Sequence, residues 1–254
     1  MGRHCDILEI RGGVDKNGER EEVDRLVFRP GEIVGIVGPT GSGKTTLISD
    51  IEQLAVGDTV SQRQVLIDGD LQDVRTRADP RSKPVAQLSQ NMHFLADMDV
   101  EEFLRMHARS RGKDASLVPE VVATANRLTG EPVRATDHLT QLSGGQSRAL
   151  MAADIAIISD SPIVLIDEIE NAGIRKQEAL GLLAGRGKIV IVVTHDPLLA
   201  LLASRRVVMS EGGARRVLER TPQEERVCSR LMELDGWMLS LRESIREGRT
   251  VSLA

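Results

Sequence analysis

Aromatic residues and cysteines are scarce in this chain. Its 254 residues include three phenylalanines, one tryptophan, two cysteines and no tyrosine. So few aromatic side chains leave little material for the stacking platforms on which proteins bind single-stranded nucleic acid. Cys5 and Cys228 stand far apart and show no metal-binding spacing, so they fit a reducing compartment better than a disulfide framework.

Positive net charge and long apolar runs are also missing. The formal net charge is −5, whereas a nucleic-acid partner requires a basic surface that neutralises phosphates. No stretch approaches the ~18 uncharged apolar residues of a membrane-spanning helix, and residues 1–6 lack the apolar segment of a signal peptide. We therefore expect no nucleic-acid partner and no membrane span. The expected location is cytoplasmic, or peripheral at the inner face of the cell membrane.

The chain does contain a glycine-rich motif, GPTGSGKT, at Gly38–Thr45. Phosphates are bound by converging N–H groups, so the backbone must bend around the anion without obstruction from Cβ atoms. A strand-like run, Ile33–Val37, precedes the motif and a helix start follows it, which favours a phosphate loop over an accidental glycine-rich turn. Lys44 would pair with the outer phosphates, and Thr45 would place its hydroxyl on Mg²⁺. The predicted nucleotide-binding residues are Gly38, Pro39, Thr40, Gly41, Ser42, Gly43, Lys44, Thr45 and Thr46.

Two acidic residues follow a second strand-like run, Ile163–Ile166. Its continuous apolar character is typical of a parallel strand covered on both faces. Asp167 and Glu168 stand at its carboxyl end, where open α/β sheets place ligands. Asp167 suits Mg²⁺, which needs few protein carboxylates, and Glu168 could orient or deprotonate an attacking water. The alternative is that the pair only caps the next helix; the phosphate loop earlier in the chain favours catalysis.

A histidine follows a third apolar run, Ile189–Val193. His195 stands just beyond this run, where its ring could donate a hydrogen bond to a γ-phosphate. A lone histidine is more often an ordinary polar residue with its hydrogen bonds satisfied. Its position after another buried-type strand favours a place in the same site.

The sequence LSGGQ at Leu142–Gln146 completes an ordered set of motifs. Together with Gly38–Thr45, Gln90, Asp167–Glu168 and His195, it resembles the ATP-binding cassette (ABC) ATPases, from about residue 6 to about residue 217. A helix is predicted from residue 147 to about residue 158, so the signature lies at an N–H-rich, positive helix end.

The resemblance implies an ATP site shared by two copies. By the family's pattern the signature faces the γ-phosphate bound by the opposite subunit, so that ATP and Mg²⁺ lie between the members of a homodimer or paired cassette. The implied signature contacts are Ser143, Gly144, Gly145 and Gln146. The implied catalytic residues are Glu168, His195 and Gln90, and the implied metal ligands are Thr45, Gln90 and Asp167. Transport would require separate membrane-spanning subunits.

The resemblance also implies an α/β fold. Its parts are a P-loop NTPase core with a mostly parallel sheet, an N-terminal antiparallel β subdomain and a small helical subdomain. Residues 1–220 would form the ABC ATPase domain, with the helical subdomain inserted at residues 91–140. Residues 221–254 would form a C-terminal amphipathic helix and tail. Within the β subdomain, Gln64–Ile67 is predicted to be an edge strand.

The chain departs from the family pattern at three places. No aromatic residue near Ile7–Gly13 is available to stack on adenine, which leaves selectivity between ATP and GTP open. Ile169–Arg175 replaces the family's usual segment after the glutamate, and Asp154 stands where many transporters carry arginine. These changes weaken the inference of transport more than that of ATP cleavage. The alternatives are a soluble ABC ATPase acting in protein or metallocofactor assembly, and a nucleotide-gated module with negligible turnover.

The last predicted helix carries an apolar stripe. Its members recur at alternating spacings of four and three residues along one helix face: Val227, Leu231, Leu234, Met238, Leu241 and Ile245. We expect this stripe to pack on its own domain. The alternative is docking on a twin subunit or a partner protein.

Overall fold

The structure is a computed structural model, and it describes residues 5–79, 83–89, 94–167 and 173–251. Two predicted site residues, Gln90 and Glu168, lie outside the described residues. The strands are β1 (Leu8–Arg11), β2 (Arg25–Phe28), β3 (Ile33–Val37), β4 (Gln64–Ile67), β5 (Asp70–Leu71), β6 (Val85–Ser89), β7 (Ile163–Asp167), β8 (Ile189–Val193), β9 (Arg205–Ser210) and β10 (Gly213–Glu219). The helices are α1 (Lys44–Gln53), α2 (Val74–Ala78), α3 (Val100–Ser110), α4 (Val118–Leu128), α5 (Gly144–Ile157), α6 (Lys176–Gly185), α7 (Pro197–Leu202) and α8 (Pro222–Arg246).

A six-stranded sheet forms the centre of the fold, in the order β10-β9-β3-β8-β7-β6. All neighbours are parallel except β9 and β10, which form an antiparallel hairpin. Along β7, Ile163 and Leu165 face one apolar core with α1 and the second sheet, whereas Val164 and Ile166 face the other core with α4 and α5. A one-residue slip of β7 would exchange the side chains that face the two cores and disrupt the packing of both. The register at the strand ends is therefore fixed.

The second sheet is antiparallel and has the order β2-β1-β4-β5. The mostly parallel core with an antiparallel N-terminal sheet confirms the predicted fold class. The prediction of an edge strand at Gln64–Ile67 is wrong, because β5 folds back along it. The turn between them, Asp68-Gly69, has φ of 53° and 90°, the left-handed pair that a two-residue hairpin requires.

Helices α3 and α4 lie between β6 and α5 in sequence and pack around the second core. Asp99 caps α3 by accepting a hydrogen bond from the Glu102 amide at 2.7 Å, and Pro119 stands in the first turn of α4. The divergent Asp154 on α5 lies 2.8 Å from Nδ1 of His107 on α3. Asp154 therefore ties the signature helix to the neighbouring helix pair.

Helix α8 packs on α7 with the face that carries the buried Cys228. The apolar stripe predicted to pack on the domain is only partly covered: Leu231 and Leu241 are half-buried, whereas Val227 is 51% exposed, Leu234 47% and Ile245 65%. The prediction is wrong for the exposed members, because the positions that face the domain, such as Cys228, are one residue, or about 100°, away from them around the helix. For these exposed members the alternative of external docking remains. No helix of the described ranges is long and apolar enough to cross a membrane.

Candidate functional site

The loop between β3 and α1 is shaped by close backbone packing. A Cβ on Gly38 would lie 2.3 Å from the Met209 carbonyl oxygen, and one on Gly43 would lie 2.7 Å from Gly212 Cα. Gly43 also has a φ of 96°, a conformation that favours glycine. Gly38 and Gly43 are therefore required because the end of β9 and the turn after it pack against the loop, whereas a Cβ on Gly41 would meet no atom within 4 Å.

The first turn of α1 is open to an anion. Helix α1 begins at Lys44 after Gly43, no side chain caps its N-terminus, and its first turn contains no acidic residue. Its leading N–H groups and positive dipole end are thus available to an anion. Thr45 is exposed and Thr46 is half-buried in this turn.

Lys44 is a buried cation held only by neutral groups of the described residues. It is 7% exposed, and its Nζ donates to the carbonyls of Gly38 at 2.8 Å and Pro39 at 2.9 Å. Next to it, the buried Ser42 Oγ has no hydrogen-bond partner in the described part of the chain. A bound phosphate would supply both the missing negative charge and the missing acceptor, so this loop fits the phosphates of a nucleotide.

The sheet register brings three predicted site segments to one edge. Asp167, the last residue of β7, is aligned with Ser89 on β6 and with Val193 on β8. Val193 is in turn aligned with Ile36, just before the phosphate loop. The loop, Asp167 and the residues after β8 therefore share the carboxyl edge of the sheet. Gln90 and Glu168 directly follow Ser89 and Asp167 in sequence.

His195 is exposed on the connection between β8 and α7. Its neighbour Asp196 accepts from the amide of Leu198 at 2.7 Å, which caps α7, and from Nζ of Lys176 at 2.6 Å. Burial disfavours the charged form of Asp196, but the hydrogen bond from Lys176 and its charge outweigh that effect and hold the pKa of Asp196 below its ordinary value. These contacts of Asp196 hold the backbone next to His195 in place.

The signature residues form a capped helix end. Ser143 Oγ accepts from the Gln146 amide at 3.2 Å, and Gln146 Oε1 accepts from the Ser143 amide at 2.9 Å. This capping box starts α5 at Gly144, three residues before the predicted start at Ser147. The Ser143 hydroxyl also donates to Glu131 Oε2 at 2.7 Å. Within the described chain, no hydrogen bond or ion pair joins the signature to residues 38–46.

A buried ionic cluster beneath the loop was not predicted from the sequence. Arg63 is 1% exposed, pairs with Glu21, donates to Asp50 Oδ2 of α1 at 2.9 Å, and reaches the Gly212 carbonyl at 2.8 Å. Gly212 in turn donates its amide to the Ser42 carbonyl at 3.0 Å. The cluster therefore anchors α1 and the turn that shapes the phosphate loop.

Comparison with known proteins agrees with this geometry. The family model described as "ABC transporter" matches residues 23–171. The chain belongs to the ABC transporter family. It is therefore an ABC-type ATPase, a cassette that uses and hydrolyses ATP.

Relatives match over most of the cassette. This chain is 59% identical over 246 residues to an uncharacterized ABC transporter ATP-binding protein of Methanocaldococcus jannaschii, and the match covers 96% of this chain and 94% of that protein. It is 32% identical over 218 residues to the pyoverdine export ATP-binding/permease protein PvdT of Pseudomonas entomophila, covering 82% of this chain but only 33% of PvdT. A solved ATP-binding subunit of an ABC transporter shares the fold, with a TM-score of 0.63 at 18% identity, covering 84% of this chain and 90% of that one.

Proposed function

We propose that this cassette binds Mg-ATP between two head-to-tail copies and hydrolyses it to drive conformational change, as the ATP-binding subunit of a membrane transporter. The observation that carries the nucleotide site is Lys44. It is a buried ammonium with two carbonyl acceptors and no carboxylate among the described residues, beside an uncapped helix N-terminus. A triphosphate provides the anion that this arrangement lacks.

The residues at the sheet edge have separate tasks in this proposal. Thr45, Asp167 and Gln90 would hold Mg²⁺, because their side chains offer the hard oxygen donors that this ion prefers. When bound, Mg²⁺ neutralises charge on the phosphate oxygens. Glu168 orients or deprotonates the attacking water, and His195 donates a hydrogen bond to the γ-phosphate. Catalysis is then mainly positioning and electrostatic stabilisation.

A second copy is needed because the signature at the N-terminus of α5 makes no described hydrogen bond to the phosphate loop at the N-terminus of α1. The N-terminus of α5 carries Ser143, Gly144, Gly145 and Gln146, and its described contacts are with residues 131 and 132 rather than with the phosphate loop. In a head-to-tail pair, each signature would close the site of its twin. A two-fold dimer supplies this arrangement twice.

The transporter role is supported by the relatives. PvdT is named as an export ATP-binding/permease protein, and this chain matches about a third of its length. The permease part would then be supplied here by separate membrane-spanning subunits, which would hold the cassette at the inner face of the membrane. The alternative, assembly of proteins or metallocofactors without a membrane partner, is favoured only by the divergent segment Ile169–Arg175.

Phosphate release and partner capture test the two halves of the proposal. We expect Mg²⁺-dependent phosphate release from ATP that falls by roughly 10²–10⁴-fold in Glu168→Gln, with Glu178→Gln on α6 as a matched control that retains the rate. An unchanged rate in Glu168→Gln would remove this residue from catalysis.

Affinity capture from native membranes should return a polytopic protein; only water-soluble partners would favour the alternative.

A further inference from the structure

The hydroxyl of Ser143, the serine of the signature, is already engaged within its own copy. Its oxygen accepts the hydrogen bond from the Gln146 amide that caps α5, at 3.2 Å. Its proton is donated to Oε2 of Glu131 at 2.7 Å. A serine hydroxyl carries only one proton. A second acceptor can therefore bond to this proton only if Glu131 gives it up.

The carboxylate of Glu131 is held beside the signature by its backbone. Glu131 lies just after α4, where its amide donates to Oγ1 of Thr129 at 3.2 Å. The carbonyl of the next residue, Pro132, accepts from Nε2 of Gln146 at 2.8 Å, which joins this connection to the first turn of α5. The Glu131 side chain is 43% exposed, so its removal leaves neither a buried charge nor a cavity.

A γ-phosphate of the twin would compete with Glu131 for the serine proton. The cap holds the Ser143 oxygen in place, so only the O–H bond has to rotate. With ATP, the hydroxyl exchanges one charged acceptor for another, whereas ADP offers no γ-phosphate to replace Glu131. Two anionic oxygens on either side of one hydroxyl are also only about 5 Å apart, and they repel each other.

The last residue of α8 contacts the other oxygen of the same carboxylate. Nη1 of Arg246 lies 3.2 Å from Oε1 of Glu131, so the carboxylate bridges α8 and the signature. The positive charge of Arg246 offsets the charge of Glu131 and weakens both its hold on the serine proton and its repulsion of a phosphate. Because the Arg246 side chain is 62% exposed, water screens this effect and keeps it small.

We propose that Glu131 is a positioning residue that holds the proton of Ser143 away from the twin's nucleotide, and that Arg246 weakens this hold. Closure of the two cassettes then requires a γ-phosphate that displaces Glu131 from the hydroxyl. The inference rests on the proposed head-to-tail pairing and concerns the regulation of that same site. It gives the C-terminal end of α8 a part in setting how readily ATP closes the pair.

The dimer dissociation constant tests the role of Glu131. In the Glu168→Gln background with saturating Mg-ATP, fluorescence-detected sedimentation should show that Glu131→Ala tightens the dimer by roughly 10- to 100-fold, because two serines per dimer are freed from competition. Glu131→Gln keeps a neutral acceptor and should tighten it less. The matched control is Glu120→Ala on α4, which removes a glutamate of similar exposure that also pairs with an arginine. It should leave the constant unchanged.

A double-mutant cycle tests the role of Arg246. Arg246→Gln should weaken the dimer by about 2- to 5-fold when Glu131 is present. It should have no effect in the Glu131→Gln chain, because Arg246 acts through that carboxylate. Arg230→Gln breaks the exposed pair with Glu233 on the same helix and should change neither constant. Equal losses from Arg246→Gln with and without Glu131 would overturn the part assigned to Arg246.

The outcomes separate this role from the pairing itself. If Glu131 were only a structural support of the signature, Glu131→Ala would leave the dimer unchanged or weaken it, and either result overturns the proposed role while the pairing stands. A protein that binds Mg-ATP yet stays monomeric overturns the pairing and this role together. Circular dichroism verifies that each variant is folded.

Discussion

Two buried cations lie close to the phosphate loop, and their surroundings differ. Arg63 is neutralised by Glu21 and Asp50. Burial disfavours its charged form, but the hydrogen bonds and charges of the two acids outweigh this and raise the pKa of Arg63 above its ordinary value. Lys44 has only carbonyl acceptors among the described residues. Arg63 is therefore structural, whereas Lys44 keeps a positive charge that an external anion can neutralise.

A third buried cation sharpens this comparison. Lys188, at the opposite edge of the sheet, donates to the carbonyls of Ser159 at 3.0 Å and Ser161 at 2.8 Å. Burial lowers the pKa of Lys188 to about 8. Carbonyl contacts alone thus do not make a phosphate site. Lys44 differs because a glycine loop and an uncapped helix N-terminus converge beside it.

The largest expected effect is on stability, at Arg63. Arg63→Met leaves Glu21 and Asp50 buried without a counter-charge, so the free energy of unfolding should fall by about 3–5 kcal/mol. Urea denaturation measures this. Arg105→Met, which breaks the exposed pair with Glu101, is the control and should cost at most about 1 kcal/mol. Equal costs for both variants would contradict a structural role for the cluster.

Lys44 should show the reverse behaviour, a loss of binding with little loss of stability. Lys44→Ala removes a charge-assisted contact to phosphate and should weaken ATP binding by about 100-fold in calorimetry. Its free energy of unfolding without nucleotide should stay within about 1 kcal/mol of the original, because no described carboxylate loses a partner. Lys188→Gln should retain the affinity. Unchanged affinity in Lys44→Ala would contradict the phosphate-loop role.

The smallest effect is the pH dependence attributable to Lys188. Its pKa is lowered in the folded state, so the unfolded chain binds the proton more tightly between about pH 8 and the ordinary lysine value. Its contribution to stability therefore rises with pH in that window and is lost as the pH falls through 8. From pH 8 to pH 9, the free energy of unfolding of the original chain should rise by about 1 kcal/mol relative to that of Lys188→Gln. A constant difference would place the titration elsewhere.

The sequence was most informative where local chemistry decides the structure. The phosphate loop could be predicted because glycine spacing is demanded by its backbone, and β7 and β8 could be predicted because strands buried on both faces are continuously apolar. These strands carry the carboxyl edge, so the placement of the loop and Asp167 at one edge also followed from the sequence.

Contacts between distant segments could not be predicted in this way. The hydrogen bond from Arg63 to Gly212 joins residues 149 positions apart, and no local pattern identifies either as a partner of the loop. The stripe on α8 was correctly identified as one helix face. Whether that face is buried or exposed depends on how α8 packs on α7, which the sequence pattern does not determine. Likewise the Asp68-Gly69 turn is a hairpin signal that the edge-strand prediction did not use.

The most direct test of the shared ATP site is the oligomeric state of Glu168→Gln with nucleotide. In light scattering we expect a dimer in saturating Mg-ATP, a monomer in Mg-ADP, and a monomer for Glu168→Gln/Ser143→Arg in Mg-ATP that still binds the nucleotide. A Glu168→Gln chain that binds Mg-ATP but remains monomeric, or one whose dimer is indifferent to Ser143→Arg, would contradict closure of each site by the signature of the twin.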